Sequence, residues 1–266
     1  MKIAAGQIEC AIGDVGANLQ KMREFAERAK GAGAEWIVFP EMSDTGYVMS
    51  AIRGCARPWN EGAVPQLRNI AETLSLGIIA GVSEREGECI FNSQAVIDSA
   101  GQIVGKYRKT HLFSPAPTNE HLTCAAGEEL VTLPLGEFRC GLGICYDLRF
   151  PEFHRALATE HNADLFAVSA AWPFPRIEHL RALAIARAIE NQSYLVLANR
   201  VGRDGGGVLC GTSCIIDPYG LVIAAASPHE EQLLVADLSF DYLRSIRETI
   251  RVFEHRRPEL YRTRQD

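Results

Sequence analysis

The chain has 266 residues, 47% of them hydrophobic and 23% charged. That is the composition of a folded globular protein, not of a disordered chain, a collagen-like fibre or a coiled coil. Lys and Arg number 27 against 33 Asp and Glu, a formal charge of −6. No basic surplus exists to neutralise phosphates, so nucleic acid is not an expected partner.

At roughly 150 residues per domain the length allows one large domain or two small ones. No repeat or Pro/Gly/Ser-rich linker divides the sequence, so one domain spanning 1–266 is expected, with a less compact tail from about Pro258. The opening Met1-Lys2-Ile3-Ala4-Ala5-Gly6-Gln7 lacks the basic and long apolar regions of a secretory signal. No window reaches about 18 consecutive apolar residues, so no membrane span is expected. A cytoplasmic protein is the reading. Its eight cysteines are then thiols. None forms a C-x2-C pair, and no metal site is expected.

In chain order, a strand at 2–10 precedes a helix at 16–31 and a strand at 36–39. A helix at 64–74 is followed by strands at 78–83, 90–98, 103–108 and 138–144. Pro151 suits a first helical turn, where its missing N–H costs nothing, and opens a helix at 151–160. Then come a strand at 165–169, a helix at 178–191 with Leu180, Leu183, Ala184 and Arg187 at helical spacing, and strands at 194–199 and 211–217. Asp217-Pro218-Tyr219-Gly220 is a hairpin turn into a strand at 222–226. A strand at 233–237 and a helix at 241–255 close the chain. Trp36-Ile37-Val38-Phe39 and Leu165-Phe166-Ala167-Val168 are apolar on both faces and need cover on both. These elements are too strand-rich for simple βα alternation. The expected class is α/β, a layered sandwich of two sheets with helices outside.

Three polar residues stand at predicted strand ends: Glu41 after Trp36-Ile37-Val38-Phe39-Pro40, Lys109 after Ile103–Arg108, and Cys145 after Phe138–Ile144. Sites in α/β sheets collect at strand carboxyl ends. A free thiol, with a pKa of about 8.5, is a few per cent thiolate at neutral pH. A nearby ammonium favours the thiolate, and a partly buried carboxylate makes a better base. A turn at Cys145-Tyr146-Asp147 would expose the sulfur and leave backbone N–H groups for an oxyanion. Taken singly, each residue reads more readily as a solvated charge, for Glu41 and Lys109, or as a buried thiol, for Cys145, than as a catalytic group.

Phe39-Pro40-Glu41 with Thr45-Gly46-Tyr47, Tyr107-Arg108-Lys109-Thr110-His111-Leu112-Phe113, and Gly141-Leu142-Gly143-Ile144-Cys145-Tyr146-Asp147-Leu148-Arg149-Phe150-Pro151-Glu152 follow one another in order. Together they resemble the three motifs of the carbon–nitrogen hydrolase (nitrilase) superfamily along nearly the full chain. Ala171-Trp172-Pro173 and Arg187-Ala188-Ile189-Glu190-Asn191-Gln192 add to the likeness. The resemblance implies a four-layer αββα sandwich of two mainly mixed sheets. It implies Glu41 as general base, Lys109 as oxyanion-stabilising cation and Cys145 as nucleophile. It also implies a second glutamate, best matched by Glu120, that positions Lys109 or shuttles protons. No metal or organic cofactor enters that chemistry.

Cys145-Tyr146-Asp147, in place of the Cys-Trp-Glu of nitrilases, resembles the Nit-type amidases. The implied function is hydrolysis of small linear carboxamides through a thioester, releasing ammonia and a carboxylic acid, in an ω-amidase-like manner. An N-carbamoyl amine hydrolase or a nitrilase is the alternative, and a catalytically idle scaffold or a redox-sensing protein the non-enzyme reading. In the resemblance Tyr146 supplies an oxyanion N–H; Trp172 and Tyr47 read either as walls of the substrate pocket or as core packing, and Arg176 either as the partner of a substrate carboxylate or, more readily, as a helix-start surface charge. Arg149 is expected to brace the nucleophile turn, and Ser43 and Asp44 to border the pocket. Dimers are common in the family, so a homodimer is expected, through the helices at 151–160 and 178–191 and the tail.

Overall fold

The computed structural model of the chain describes residues 1–261. One six-stranded sheet comprises β1 (Lys2–Gln7), β2 (Trp36–Val38), β3 (Gly77–Glu86), β4 (Cys89–Ile97), β5 (Ile103–Arg108) and β14 (Gln232–Asp237), in the order β14-β1-β2-β3-β4-β5. The other comprises β6 (Thr132–Leu135), β7 (Phe138–Ile144), β8 (Leu165–Ala170), β9 (Tyr194–Asn199), β12 (Cys214–Ile216) and β13 (Val222–Ala225), in the order β13-β12-β9-β8-β7-β6. A small hairpin joins β10 (Arg203–Asp204) to β11 (Gly207–Val208).

Both sheets are mixed. β1–β2–β3 and β7–β8–β9 run parallel, and the flanking pairs run antiparallel. The sheets meet face to face, β1 against β9, β2 and β3 against β8, and β4 against β7. The helices α1 (Val15–Gly31) and α3 (Ala63–Leu74) cover the first sheet. The second is covered by α4 (Pro151–Thr159) and α5 (Ile177–Asn191). The remaining helices are α2 (Met49–Cys55), α6 (Phe240–Thr249) and α7 (Pro258–Tyr261). Among the described residues no helix is long and apolar enough to cross a membrane.

Sequence pattern explains this layering. Every residue of β8 and of β9 is buried, because both strands lie between α5 and the opposing sheet. On α1, Leu19, Met22, Phe25, Ala26 and Ala29 form the stripe that packs against the first sheet, and Asp14 caps the helix by accepting from the Ala17 N–H at 3.0 Å. Burying one large aliphatic or aromatic side chain contributes about 1.5–3 kcal/mol, so each stripe outweighs any single cap. A buried polar bridge crosses the sandwich: Gln94 donates to Ser169 Oγ at 2.9 Å, and Ser169 donates to the Phe39 carbonyl at 2.7 Å.

Several boundaries differ from the sequence reading. The strand expected at 211–217 shortens to β12 because Gly211 and Thr212 adopt φ of +48° and +53°, which breaks the extended chain. Helix α6 stops at Thr249, well before His255. Helix α2, strand β6 and the small hairpin were not anticipated; their runs are too short for periodicity to declare them. Part of the expected tail, 262–266, lies outside the described residues.

Candidate active site

Glu41 follows β2, Lys109 follows β5, and Cys145 follows β7, so two come from one sheet and one from the other. Lys109 Nζ lies 2.7 Å from Glu41 Oε1 and 2.8 Å from Glu120 Oε2. All three side chains are fully buried. The Lys109 backbone is fixed on both sides, its N–H on the Asn92 carbonyl and its carbonyl on the Gly127 N–H, each at 2.8 Å. Glu120 opens a short helical turn, Glu120–Leu122, and its Oε2 also accepts from the Phe113 N–H at 2.7 Å. Glu41 Oε2 accepts from the Ala171 N–H at 2.9 Å.

Burial disfavours charge on all of these groups. It raises the pKa of Glu41, against the opposing pull of Lys109. For Lys109, burial acts to lower the pKa, but the carboxylates of Glu120 and Glu41 overcome it and hold the ammonium charged, well above the usual lysine range. Cys145 lies at the entry to a tight helical turn, Cys145–Arg149, with φ of +44°. A non-glycine residue held there stores roughly 1–3 kcal/mol of strain. Burial and then the Glu41 charge push its thiol up, with Lys109 and the Ala171 N–H acting the other way. The resting sulfur is therefore protonated beside a buried base.

Cys145 lines a cavity of about 640 Å³, which Tyr47, Tyr146, Arg149, Trp172 and Arg176 also line. Trp172 is both wall and core: 2% exposed, with its indole N–H on the Arg176 carbonyl at 2.9 Å. The Tyr47 ring lies 5.5 Å from Lys109 Nζ, and its hydroxyl is buried without a partner among the described residues. Arg176 stands at the start of α5, its guanidinium 5.6 Å over the Phe113 ring.

Two expectations are corrected. Ser43 and Asp44 do not border this cavity. Ser43 donates to the Pro40 carbonyl at 2.6 Å, and Asp44 turns to accept from the Ser83 N–H and hydroxyl, so both are spent on holding the Glu41 loop. Arg149 does not serve only as a brace. It lines the cavity with its guanidinium 4.6 Å over the Trp172 ring, and burial together with the nearby Arg176 charge lowers its pKa.

Sequence reasoning missed Asn92, whose Nδ2 donates to Glu41 Oε1 and Glu120 Oε1, both at 2.7 Å. The signal was there: Asn92-Ser93-Gln94 is a polar run inside an apolar strand. It also missed the Ala171 N–H, for which a backbone group gives no signal at all.

This site has counterparts among known proteins. The family model described as carbon-nitrogen hydrolase matches residues 2–248. The 2-oxoglutaramate amidase of Bacillus subtilis (strain 168) is 35% identical over 260 residues, 97% of this chain and 98% of that protein. The omega-amidase YafV of Escherichia coli (strain K12) is 36% identical over 229 residues, 85% of this chain and 86% of that one. A solved variant of the amidase from Nesterenkonia sp. AN1, with the acetamide moiety of fluoroacetamide added covalently at its active-site cysteine, superposes with a TM-score of 0.88 at 30% identity, covering 98% of this chain and 95% of that chain. The chain belongs to the carbon–nitrogen hydrolase family.

Proposed function

We propose that this protein, a cysteine-dependent amidase, hydrolyses the terminal C–N bond of small linear carboxamides that carry a distal carboxylate. One observation carries the reading: the buried Glu41–Lys109–Glu120 cluster stands directly behind a thiol on the wall of an open cavity. Glu41 takes the Cys145 proton as sulfur bonds to the amide carbon. The oxyanion is met by Lys109 and the Tyr146 N–H, which as an early N–H of a helical turn has no intrahelical partner. The C–N bond then breaks, Glu41 returns the proton to nitrogen, and ammonia leaves a thioester. Water, deprotonated by Glu41, attacks the thioester and releases the acid and the thiol.

The distal carboxylate is inferred from Arg149 and Arg176. Both line the cavity, and neither pairs with a carboxylate among the described residues. Half-buried, like-charged guanidiniums near each other favour an incoming anion. The names of the Bacillus subtilis and Escherichia coli relatives agree with this ω-amidase-like class.

Intact-mass spectrometry with a panel of amides tests the reading. The expected result is an acyl adduct on Cys145, absent in Cys145→Ala, with ammonia but no carbon dioxide released. Carbon dioxide would instead indicate an N-carbamoyl substrate. Ammonia release that survives Cys145→Ala would refute the reading. Arg176→Leu should raise KM about tenfold or more for carboxylate-bearing amides, a charge-assisted pair being worth roughly 1.5–3 kcal/mol, and leave neutral amides unaffected.

We also infer a homodimer in the cytoplasm. The outer face of α5 supports it, where Ile189 is 49% exposed, together with Ile250 just after α6, 46% exposed, and Leu260 and Tyr261 at the end of the described tail. A monomer in sedimentation at micromolar concentration would refute this.

A further inference from the structure

Asp147 takes no part in the chemistry above, yet it is completely buried two residues beyond Cys145. A buried carboxylate persists only if hydrogen bonds satisfy it. Its donors come from two segments. From the end of the nucleophile strand, the Ile144 N–H donates to Oδ2 at 2.8 Å. From the lysine segment, the Tyr107 hydroxyl donates to Oδ2 at 2.7 Å, the Thr110 hydroxyl to Oδ1 at 3.3 Å, and the His111 backbone N–H to Oδ1 at 3.2 Å. His111 Nδ1 stands 2.8 Å from Oδ1, and beside a carboxylate the bond requires the proton on Nδ1. The imidazole is held in place by stacking on Phe150, centroids 3.8 Å apart.

Lys109 lies between Tyr107 and Thr110, and Cys145 lies between Ile144 and Asp147. The two segments belong to different sheets. We propose that Asp147 is a positioning residue that latches the lysine turn to the nucleophile turn, so setting Lys109 against Cys145, with His111 and Tyr107 as its donors on the lysine side. The inference rests on the reading that Lys109 and Cys145 act together. A network of this kind loses precision when one donor is removed, and misplacement by about 1 Å far from the reacting atoms can cost on the order of a hundredfold in rate.

Asp147→Asn could fail to fold, so the test removes donors singly. His111→Ala, His111→Asn and Tyr107→Phe are compared with the parent enzyme for kcat and KM on a dicarboxylate monoamide, for the rate at which iodoacetamide alkylates Cys145, and for melting temperature. His111→Ala and Tyr107→Phe should each lower kcat and the alkylation rate by about tenfold with KM held within about twofold. His111→Asn, which returns a side-chain N–H near the position of Nδ1, should recover most of the loss. Parental kcat and alkylation in both His111→Ala and Tyr107→Phe, with only a lower melting temperature, would overturn the latch. So would His111→Asn no better than His111→Ala. Cys145→Ala is run alongside: if it keeps ammonia release, the catalytic reading itself falls, whereas an inactive Cys145→Ala beside unimpaired latch variants sinks the latch alone.

Discussion

The carboxylates of Glu41 and Glu120 are joined by one ammonium and one amide. Lys109 Nζ and Asn92 Nδ2 each bond to both, at 2.7–2.8 Å. Two buried carboxylates so placed repel each other unless donors screen them. Asn92→Leu keeps the volume and removes the amide. Bonds to charged groups are worth roughly 1.5–3 kcal/mol, so kcat should fall about 10- to 100-fold. KM should change little, because Asn92 does not line the cavity. Asn92→Asp, adding a third carboxylate, should be worse. Steady-state ammonia release checks both, and unchanged kcat in Asn92→Leu would show the bridge to be idle.

Glu41 must be ionised to accept the thiol proton, and burial raises its pKa. As pH falls through that raised value the base is lost, so the acid limb of kcat/KM should lie above the ordinary glutamate pKa of about 4.3. The thiol gives no competing limb at neutral pH, since burial and the Glu41 charge keep it protonated. Glu41→Gln should lower kcat by about 10²–10⁴-fold and remove the limb. A pH–rate profile with the limb at an ordinary carboxylate value, or unchanged in Glu41→Gln, would contradict the assignment.

The layers and the three strand-end residues were legible because they depend on local pattern. Leu165-Phe166-Ala167-Val168 reads as a short strand covered on both faces, and Phe39-Pro40-Glu41 and Ile144-Cys145-Tyr146 are contiguous motifs. The rest depends on side-chain direction. Arg149 sits in the same motif as Cys145, but only the turn's geometry sends it over Trp172 into the cavity. Asp44 follows Glu41 by three residues and still faces Ser83, not substrate. Asn92 is 51 residues from Glu41, and only the β3–β4 and β4–β5 registers bring it to the site.

Gly81 supports Glu41 from beneath. A Cβ there would lie 2.5 Å from the Pro40 carbonyl oxygen and 2.6 Å from Glu41 Cα. These are buried backbone atoms of the Glu41 loop and cannot yield as a side-chain tip would, so Gly81→Ala must displace Glu41. Overpacking of this kind costs about 1–3 kcal/mol, and kcat should fall tenfold or more alongside a lower melting temperature. Gly31→Ala, where nothing lies within 4 Å, is the control: kcat should be unchanged and the melting temperature unchanged or slightly raised. If Gly81→Ala behaves like Gly31→Ala, the close approach does not set the base.

Two buried groups away from the reacting atoms should make stability depend on pH in opposite senses. Burial raises the Asp44 pKa from 3.8 to about 6, so between these values the folded state holds a proton that the unfolded state has lost. Stability from Asp44 therefore falls as pH rises from about 4 to 6. Burial lowers the His154 pKa from 6.5 to about 4, so in nearly the same window the unfolded state holds the extra proton, and stability rises with pH. Each shift corresponds to at most about 3 kcal/mol, and in the parent protein the two largely cancel. Asp44→Asn should expose the His154 slope, with stability climbing from pH 4.5 to 6.5. His154→Leu should expose the Asp44 slope, with stability declining across the same range. Urea denaturation at pH 4.5, 5.5 and 6.5 reads both, and two variants that track the parent's pH dependence would show that neither group titrates differently on folding.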